Sequence, residues 1–256
     1  MSANWYDYPA YFDLAFRDET KPEANFIEAA CRKYCDFPVR HLLEPACGSG
    51  RLIVELARRG YEMTGFDLNE SMLGYSRKRL ARQRLTANLF VGDMMSFQLA
   101  QPVDASYNTF NSFRHLLTEE AAISHLQSVA NALKTGGIYI LGLHLLPPDA
   151  SEESTERWTA RFGQTRLHGT LKVIASSRRR RLETLRMSLL VRTPTREVRI
   201  RSEFTLRLYT ARQLKQLLRA VPQFELLDVF DFWYELDHPL VLNDEISDTV
   251  LILKKR

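Results

Sequence analysis

Three cysteines among 256 residues, Cys31, Cys35 and Cys47, are too few and too odd in number for a disulfide framework. Between Met1 and Tyr11 there is no apolar stretch of the kind that leads a chain out of the cell. Together these absences set the expectation of a reducing, cytoplasmic protein. Cys31 and Cys35 stand four apart on one face of a helical pattern, and without a second pair of ligands they read as small packed side chains, so no metal site is expected. No run of about 18 apolar residues occurs, which leaves no expected membrane span or membrane partner. Internal repeats and low-complexity tracts are missing too. Excess charge is small: 35 Lys and Arg against 31 Asp and Glu leave a net charge of +4. A nucleic-acid partner would need the arginines gathered on one face, so this bias reads first as a solvated surface and a nucleic-acid partner is not favoured.

What is present is enough to build a core. Hydrophobic residues make up 45% of the chain and charged residues 26%, the balance of a globular protein. Glu23–Tyr34 has helical periodicity with Pro22 before it. After it, short apolar strands alternate with helices: strand Arg40–Glu44, helix Arg51–Arg59 ending at Gly60, strand Glu62–Phe66, helix Ser71–Arg84, strand Ala87–Val91, strand Asp104–Thr109, helix Thr118–Leu133 and strand Ile138–Leu145. Alternation with short connections predicts right-handed crossovers and a parallel sheet. Thr210–Val221 returns to helix, and Phe224–Phe232 and Thr249–Leu253 are two last strands with no helix between them, hence an antiparallel hairpin.

Pro147-Pro148 interrupts this order, and from about residue 165 to 209 the period becomes two. Val198, Ile200, Phe204, Leu206 and Leu208 alternate with Arg199, Arg201, Glu203, Thr205 and Arg207, the pattern of a half-exposed strand. Leu171–Ala175 and Leu185–Val191 are its expected partners. The expectation is a three-stranded antiparallel insertion at 150–208, within one domain spanning 1–256 that begins with a helical cap at 1–35.

The chemistry concentrates in Glu44-Pro-Ala46-Cys-Gly48-Ser-Gly50, a turn between a strand and a helix. Gly48 and Gly50 let backbone approach a ligand where a Cβ would clash, and Asp67, ending the next strand, is spaced to grip ribose hydroxyls. A dinucleotide fingerprint wants a small residue where Ile53 stands, and no Gly-Lys-Ser/Thr follows, so neither a nicotinamide cofactor nor a P-loop is indicated.

Taken in order, Glu44-x-x-x-Gly48-x-Gly50, Phe66-Asp67-Leu68-Asn69-Glu70-Ser71-Met72, Gly92-Asp93-Met94 and Leu133-Lys-Thr-Gly-Gly137 resemble the motifs of class I S-adenosylmethionine (SAM)-dependent methyltransferases, with Thr135 where a proline is usual. The resemblance covers about residues 38–145, and the final hairpin suits the same family. It implies an α/β, Rossmann-like, mostly parallel seven-stranded sheet with helices on both faces. SAM would be the cofactor and S-adenosylhomocysteine (SAH) its product. It also implies residue roles. Glu44 would order the loop or reach the methionine amine, with Ala46, Gly48 and Gly50 along the methionine portion. Asp67 would accept the ribose hydroxyls, Leu68 and Met72 would pack on adenine, Asp93 would take the adenine amino group and Met94 would cover the ring. Asn108 and Asn111 would end a strand beside the reactive methyl.

Outside these motifs, Tyr11 is the expected aromatic lid residue of the N-terminal segment. His115 and His144 are the two candidate bases, and Arg114 is a candidate contact for an acidic substrate. The leading expectation is methyl transfer to N or O of a small molecule by a monomer or homodimer. The competing ones are an RNA or protein methyltransferase and a SAM-binding scaffold without catalysis.

Overall fold

The computed structural model describes residues 4–256. A short 3-10 turn at Trp5–Asp7 leads into helices α1 (Pro9–Ala15) and α2 (Thr20–Tyr34). Then follow β1 (His41–Pro45), α3 (Arg51–Arg58), β2 (Glu62–Asp67), α4 (Glu70–Arg82), β3 (Asn88–Val91), β4 (Val103–Asn108), α5 (Glu119–Ala132) and β5 (Leu133–His144). Strands β6 (Thr155–Phe162), β7 (Thr165–Ser177), β8 (Leu182–Arg192) and β9 (Glu197–Arg207) come next, and α6 (Ala211–Arg219), β10 (Phe224–Phe230) and β11 (Asp248–Lys255) close the chain. Among the described residues no helix is long and apolar enough to cross a membrane.

One sheet has seven strands in the order β10-β11-β5-β4-β1-β2-β3. Strands β1 to β5 run parallel, while β11 is antiparallel to both its neighbours. The Rossmann-like expectation, mostly parallel with an antiparallel final hairpin, holds. Because every inner strand is covered on both sides, alternate residues serve two cores. Leu42, Ile138, Ile140 and Ile252 pack with α2 and α3, whereas Leu43, Tyr139, Leu141 and Leu253 pack with α5 and α6. Strand order runs outward in opposite senses from β1 and β4, so a crevice opens at their carboxyl ends, where ligands of such sheets bind.

The insertion departs from expectation: it is a four-stranded antiparallel sheet, ordered β6-β7-β8-β9. The missed strand, β6, is an edge strand whose inward residues include Glu156 as well as Trp158, so its apolar alternation is weak. Gly163, with φ +56°, makes the tight turn that joins it to β7. Leu167, Met187, Leu189, Val191 and Ile200 of this sheet form a separate small core with Trp5 and Leu14 of the N-terminal segment.

Candidate active site

Three left-handed residues shape the loop after β1: Ala46 at φ 53°, Gly48 at 52° and Gly50 at 66°. Gly48 N–H donates to Asp67 Oδ2 at 2.8 Å, and Asn69 N–H donates to Asp67 Oδ1 at 2.8 Å. One carboxylate thus fastens the loop of β1 to the end of β2, and each of its oxygens keeps a lone pair for a further donor. Burial raises the Asp67 pKa above the usual carboxylate value, while these backbone N–H groups pull it back.

Gly50 has a different task. It lies behind the loop as the cap of α3, and a Cβ there would stand 2.0 Å from Ser76 Oγ of α4. The side of Gly50 where a Cβ would stand is taken up by α4, and Gly50 is not among the residues that line the cavity in front of the loop. Gly50→Ala is expected to destabilise the protein by about 3 kcal/mol through overpacking and a strained φ. Pairing it with Ser76→Gly recovers the packing part. Equilibrium denaturation checks this, and equal loss in the single and double variants would rule out the clash as the cause.

A cavity of about 1330 Å³ opens in front of the loop. Ala46, Gly48, Asp67, Leu68, Met72, Asp93 and Met94 line one end of it. Leu68 is 68% exposed although apolar, and it lines the cavity together with buried Met72 and Met94. This slot suits a flat aromatic ring. Asp93 Oδ1 already accepts the N–H of Met95 at 2.8 Å, which holds the loop that carries it. A nucleoside in the slot would place its ribose at Asp67, so the residues present fit an adenosyl group.

The middle of the cavity is formed where β4 ends. Phe110 and Asn111 are both left-handed, at φ 78° and 66°, which is costly for side chains with a Cβ. Strand β5 holds them there: Asn111 N–H donates to the Gly142 carbonyl at 3.0 Å, and His144 N–H donates to Asn111 Oδ1 at 2.8 Å. Gly142 eases this close approach, since a Cβ there would stand 3.1 Å from Phe110 N.

Both candidate histidines line the cavity, in different states. His115 Nε2 is hydrogen-bonded to Tyr6 Oη at 3.1 Å, and burial pushes its pKa down to about 4. His144 Nδ1 lies 2.7 Å from Asp248 Oδ1. A carboxylate only accepts, so Nδ1 carries a proton, and a lone pair of the neutral ring would lie on Nε2. That hydrogen bond holds Asp248 below the usual carboxylate range. The ring is further fixed by an edge contact with Phe232, 5.0 Å between centroids.

Several expected residues lie elsewhere. Tyr11 does not line this cavity. It stacks on Tyr8, and its hydroxyl accepts from Arg196 at 3.2 Å. Trp5, Tyr6, Phe12 and Phe16 of the same segment line the cavity in its place. Glu44 is buried behind the loop, where it accepts from Tyr107 Oη at 3.1 Å, and burial pushes its pKa up to about 8. Asn108 is also buried, donating to the Pro45 carbonyl at 2.9 Å. Arg114 does line the cavity, but its guanidinium is tied to Glu183 and to the Arg207 carbonyl, so it offers an acidic substrate no free charge.

Sequence reasoning missed Asp248, Tyr6 and the insertion's share of the wall, which includes Glu156, Leu171, Met187 and Phe204. Asp248 had one available signal, its place at the start of the last strand. The pairing of that strand with β5 sets it directly opposite His144.

Residues 42–137 match the family model for a methyltransferase domain. Over 141 residues the chain is 26% identical to a putative methyltransferase of Geobacillus sp. (strain WCH70), covering 54% of this chain and 57% of that protein. Over 100 residues it is 33% identical to the dTDP-3-amino-3,4,6-trideoxy-alpha-D-glucopyranose N,N-dimethyltransferase of Streptomyces venezuelae, covering 39% of this chain and 40% of that protein. The matches thus span about half the length of these relatives, or less. The crystal structure of an S-adenosylmethionine-dependent methyltransferase from Clostridium acetobutylicum shares the fold with a TM-score of 0.79 at 18% identity, covering 97% of each chain.

Proposed function

We propose, from the premise that residues 42–137 are a methyltransferase domain of the class I SAM-dependent family, that the chain transfers the methyl group of SAM to a nitrogen or oxygen of a small molecule, with an amine as the first candidate. One observation carries the reading. A single cavity joins the adenosyl-shaped end at Gly48, Asp67 and Leu68 to a second end walled by the insertion and roofed by Trp5 and Phe12. Such a space suits a compact acceptor beside the cofactor. The kinship with a protein whose name specifies N,N-dimethylation of an amino sugar points the same way.

When bound, SAM supplies a methyl group already activated by its sulfonium and leaves as SAH. Asp67 would hold the ribose, and Leu68, Met72 and Met94 would hold the adenine. The aromatic side chains of Trp5, Tyr6 and Phe16 exclude water and favour a positive centre beside them. His144 takes the proton of the acceptor nitrogen on Nε2, and Asp248 positions the ring and stabilises the imidazolium that forms. His115 lies close by but is engaged with Tyr6, so it serves to orient that ring.

His144→Asn is expected to lower kcat by about 100-fold or more while leaving SAM affinity unchanged. Asp248→Asn acts in the same direction with a smaller loss. Single-turnover methyl transfer and SAH calorimetry separate the two effects, and full activity in the His144 variant would remove it from the reaction. The function itself is tested by incubating the protein with methyl-labelled SAM and a cell extract, then separating metabolites from macromolecules. Label in a metabolite of basic character supports the reading. Label confined to RNA or protein overturns it.

A further inference from the structure

The insertion sheet presents two opposite faces. One carries the apolar residues already described. The other is set by the strand register, because directly opposed residues share a face. Across one row stand Arg161, Arg166, Arg192 and Glu197, and two residues further along stand Thr159, His168, Leu190 and Arg199. The next row is Arg157, Thr170, Ser188 and Arg201, and the last is Thr155, Lys172, Arg186 and Glu203. This is the gathering of arginines on one face that composition alone left undecided.

Eight cations share this face with two carboxylates, and both carboxylates are engaged: Glu203 with Arg186 at 2.8 Å, and Glu197 with Arg192 and Arg199 at 2.9 Å each. Among the described residues Arg157, Arg161, Arg166, Lys172 and Arg201 form no ion pair, and all five are exposed. Arg161, Arg166 and Arg192 stand abreast on neighbouring strands, a like-charge arrangement that destabilises a sheet unless an anion relieves it.

We propose that this face docks the phosphate backbone of RNA, without sequence preference. A second copy is disfavoured because a two-fold contact would set the cations against themselves. A protein partner wants an apolar or aromatic anchor at the centre of its interface, and Leu190 is the sole large apolar side chain in the array. Nucleic-acid interfaces are instead polar and strongly positive. Seven of the eight cations are arginine, whose planar fork matches phosphate oxygens. Threonine and serine hydroxyls at 155, 159, 170 and 188 lie between them, neutral donors to phosphate and partners for 2′-hydroxyls. The face points away from the cavity, so docked RNA is a tether and not the methyl acceptor. The inference therefore stands apart from the proposed reaction.

Fluorescence anisotropy of the full chain with a labelled single-stranded RNA of about 20 nucleotides tests it. With five free cations each meeting a phosphate, the logarithm of affinity falls with the logarithm of salt at a slope of about −3.5, an approximately 100-fold loss between about 50 and 200 mM. The pair Arg161→Gln with Arg166→Gln is expected to reduce the slope to about −2, and the pair Arg161→Lys with Arg166→Lys keeps it near −3.5. These positions are exposed on a strand surface, and a thermal melt verifies folding. No binding at low salt, or a slope unmoved by the glutamine pair, overturns the proposal. Equal affinity for DNA of the same sequence overturns the assignment to RNA, and tighter capture of poly-glutamate reassigns the face to an acidic protein.

Discussion

Asp67→Ala lowers the affinity for SAM and SAH by about 100- to 1000-fold. On the proposed reading, in which Asp67 accepts from both ribose hydroxyls, two charge-assisted bonds are lost, at about 1.5 to 3 kcal/mol each before partial replacement by water. The loss has a second source inside the protein. Gly48 and Asn69 each donate a backbone N–H to this carboxylate, so its removal also frees the loop after β1 that lines the cavity. Asp67→Asn separates the two contributions, because an amide oxygen still accepts one backbone bond but carries no charge. Calorimetric titration with SAH is the measurement, with melting curves run beside it. Unchanged affinity in the alanine variant, with the fold intact, would show that the cofactor does not lie across the end of β2.

Glu23→Ala is expected to cost about 3 to 5 kcal/mol of stability, the largest single loss foreseen outside the apolar cores. Glu23 of α2 is fully buried and meets one guanidinium nitrogen of Arg51 with both oxygens, at 2.8 and 2.7 Å. Removing it strands a buried cation whose other terminal nitrogen already lacks a partner. The same carboxylate accepts from Thr109 Oγ1 at 3.0 Å, so it ties α2 to the residue just before the strained pair Phe110 and Asn111. The variant should therefore lose both stability and the geometry of the cavity floor. Replacing both partners at once, Glu23→Leu with Arg51→Met, restores most of the stability, because it removes two desolvated charges together. Chemical denaturation of the three proteins distinguishes a stranded charge from simple loss of packing. If the double variant is no better than the single, packing is the cause.

The parallel sheet was legible because three of its strands run into Pro45, Asp67 and Gly92, and because helical periodicity separates most of the strands. The Gly48 turn was legible for a related reason: a left-handed backbone position leaves few residue types available. Gly50 was read as a residue that lets backbone approach a ligand, and in the structure its missing Cβ faces α4. A sequence shows that a side chain is forbidden there, but not that Ser76 is what forbids it. Tyr11 was indistinguishable from Tyr6 by pattern, since both precede the first long helix. A turn ending at Asp7 sends one into the cavity and the other toward Arg196. Asp248 was out of reach without the register of β11 against β5, a contact between residues 104 apart in the chain. Strand β6 was hidden because an edge strand that lends Glu156 to a cavity wall gives up the alternation by which strands are found.

The small core beneath the insertion is held apart from the two cores of the main sheet, yet Trp5 and Phe12 belong to the cavity wall as well as to that small core. Heat should therefore disable this protein in two stages. The roof, resting on fewer buried side chains, loosens first, and the end of the cavity beneath it goes with it, while the seven-stranded sheet persists. Catalytic lifetime at raised temperature would then be governed by the N-terminal segment, and a chain with a very durable sheet would still age at its roof.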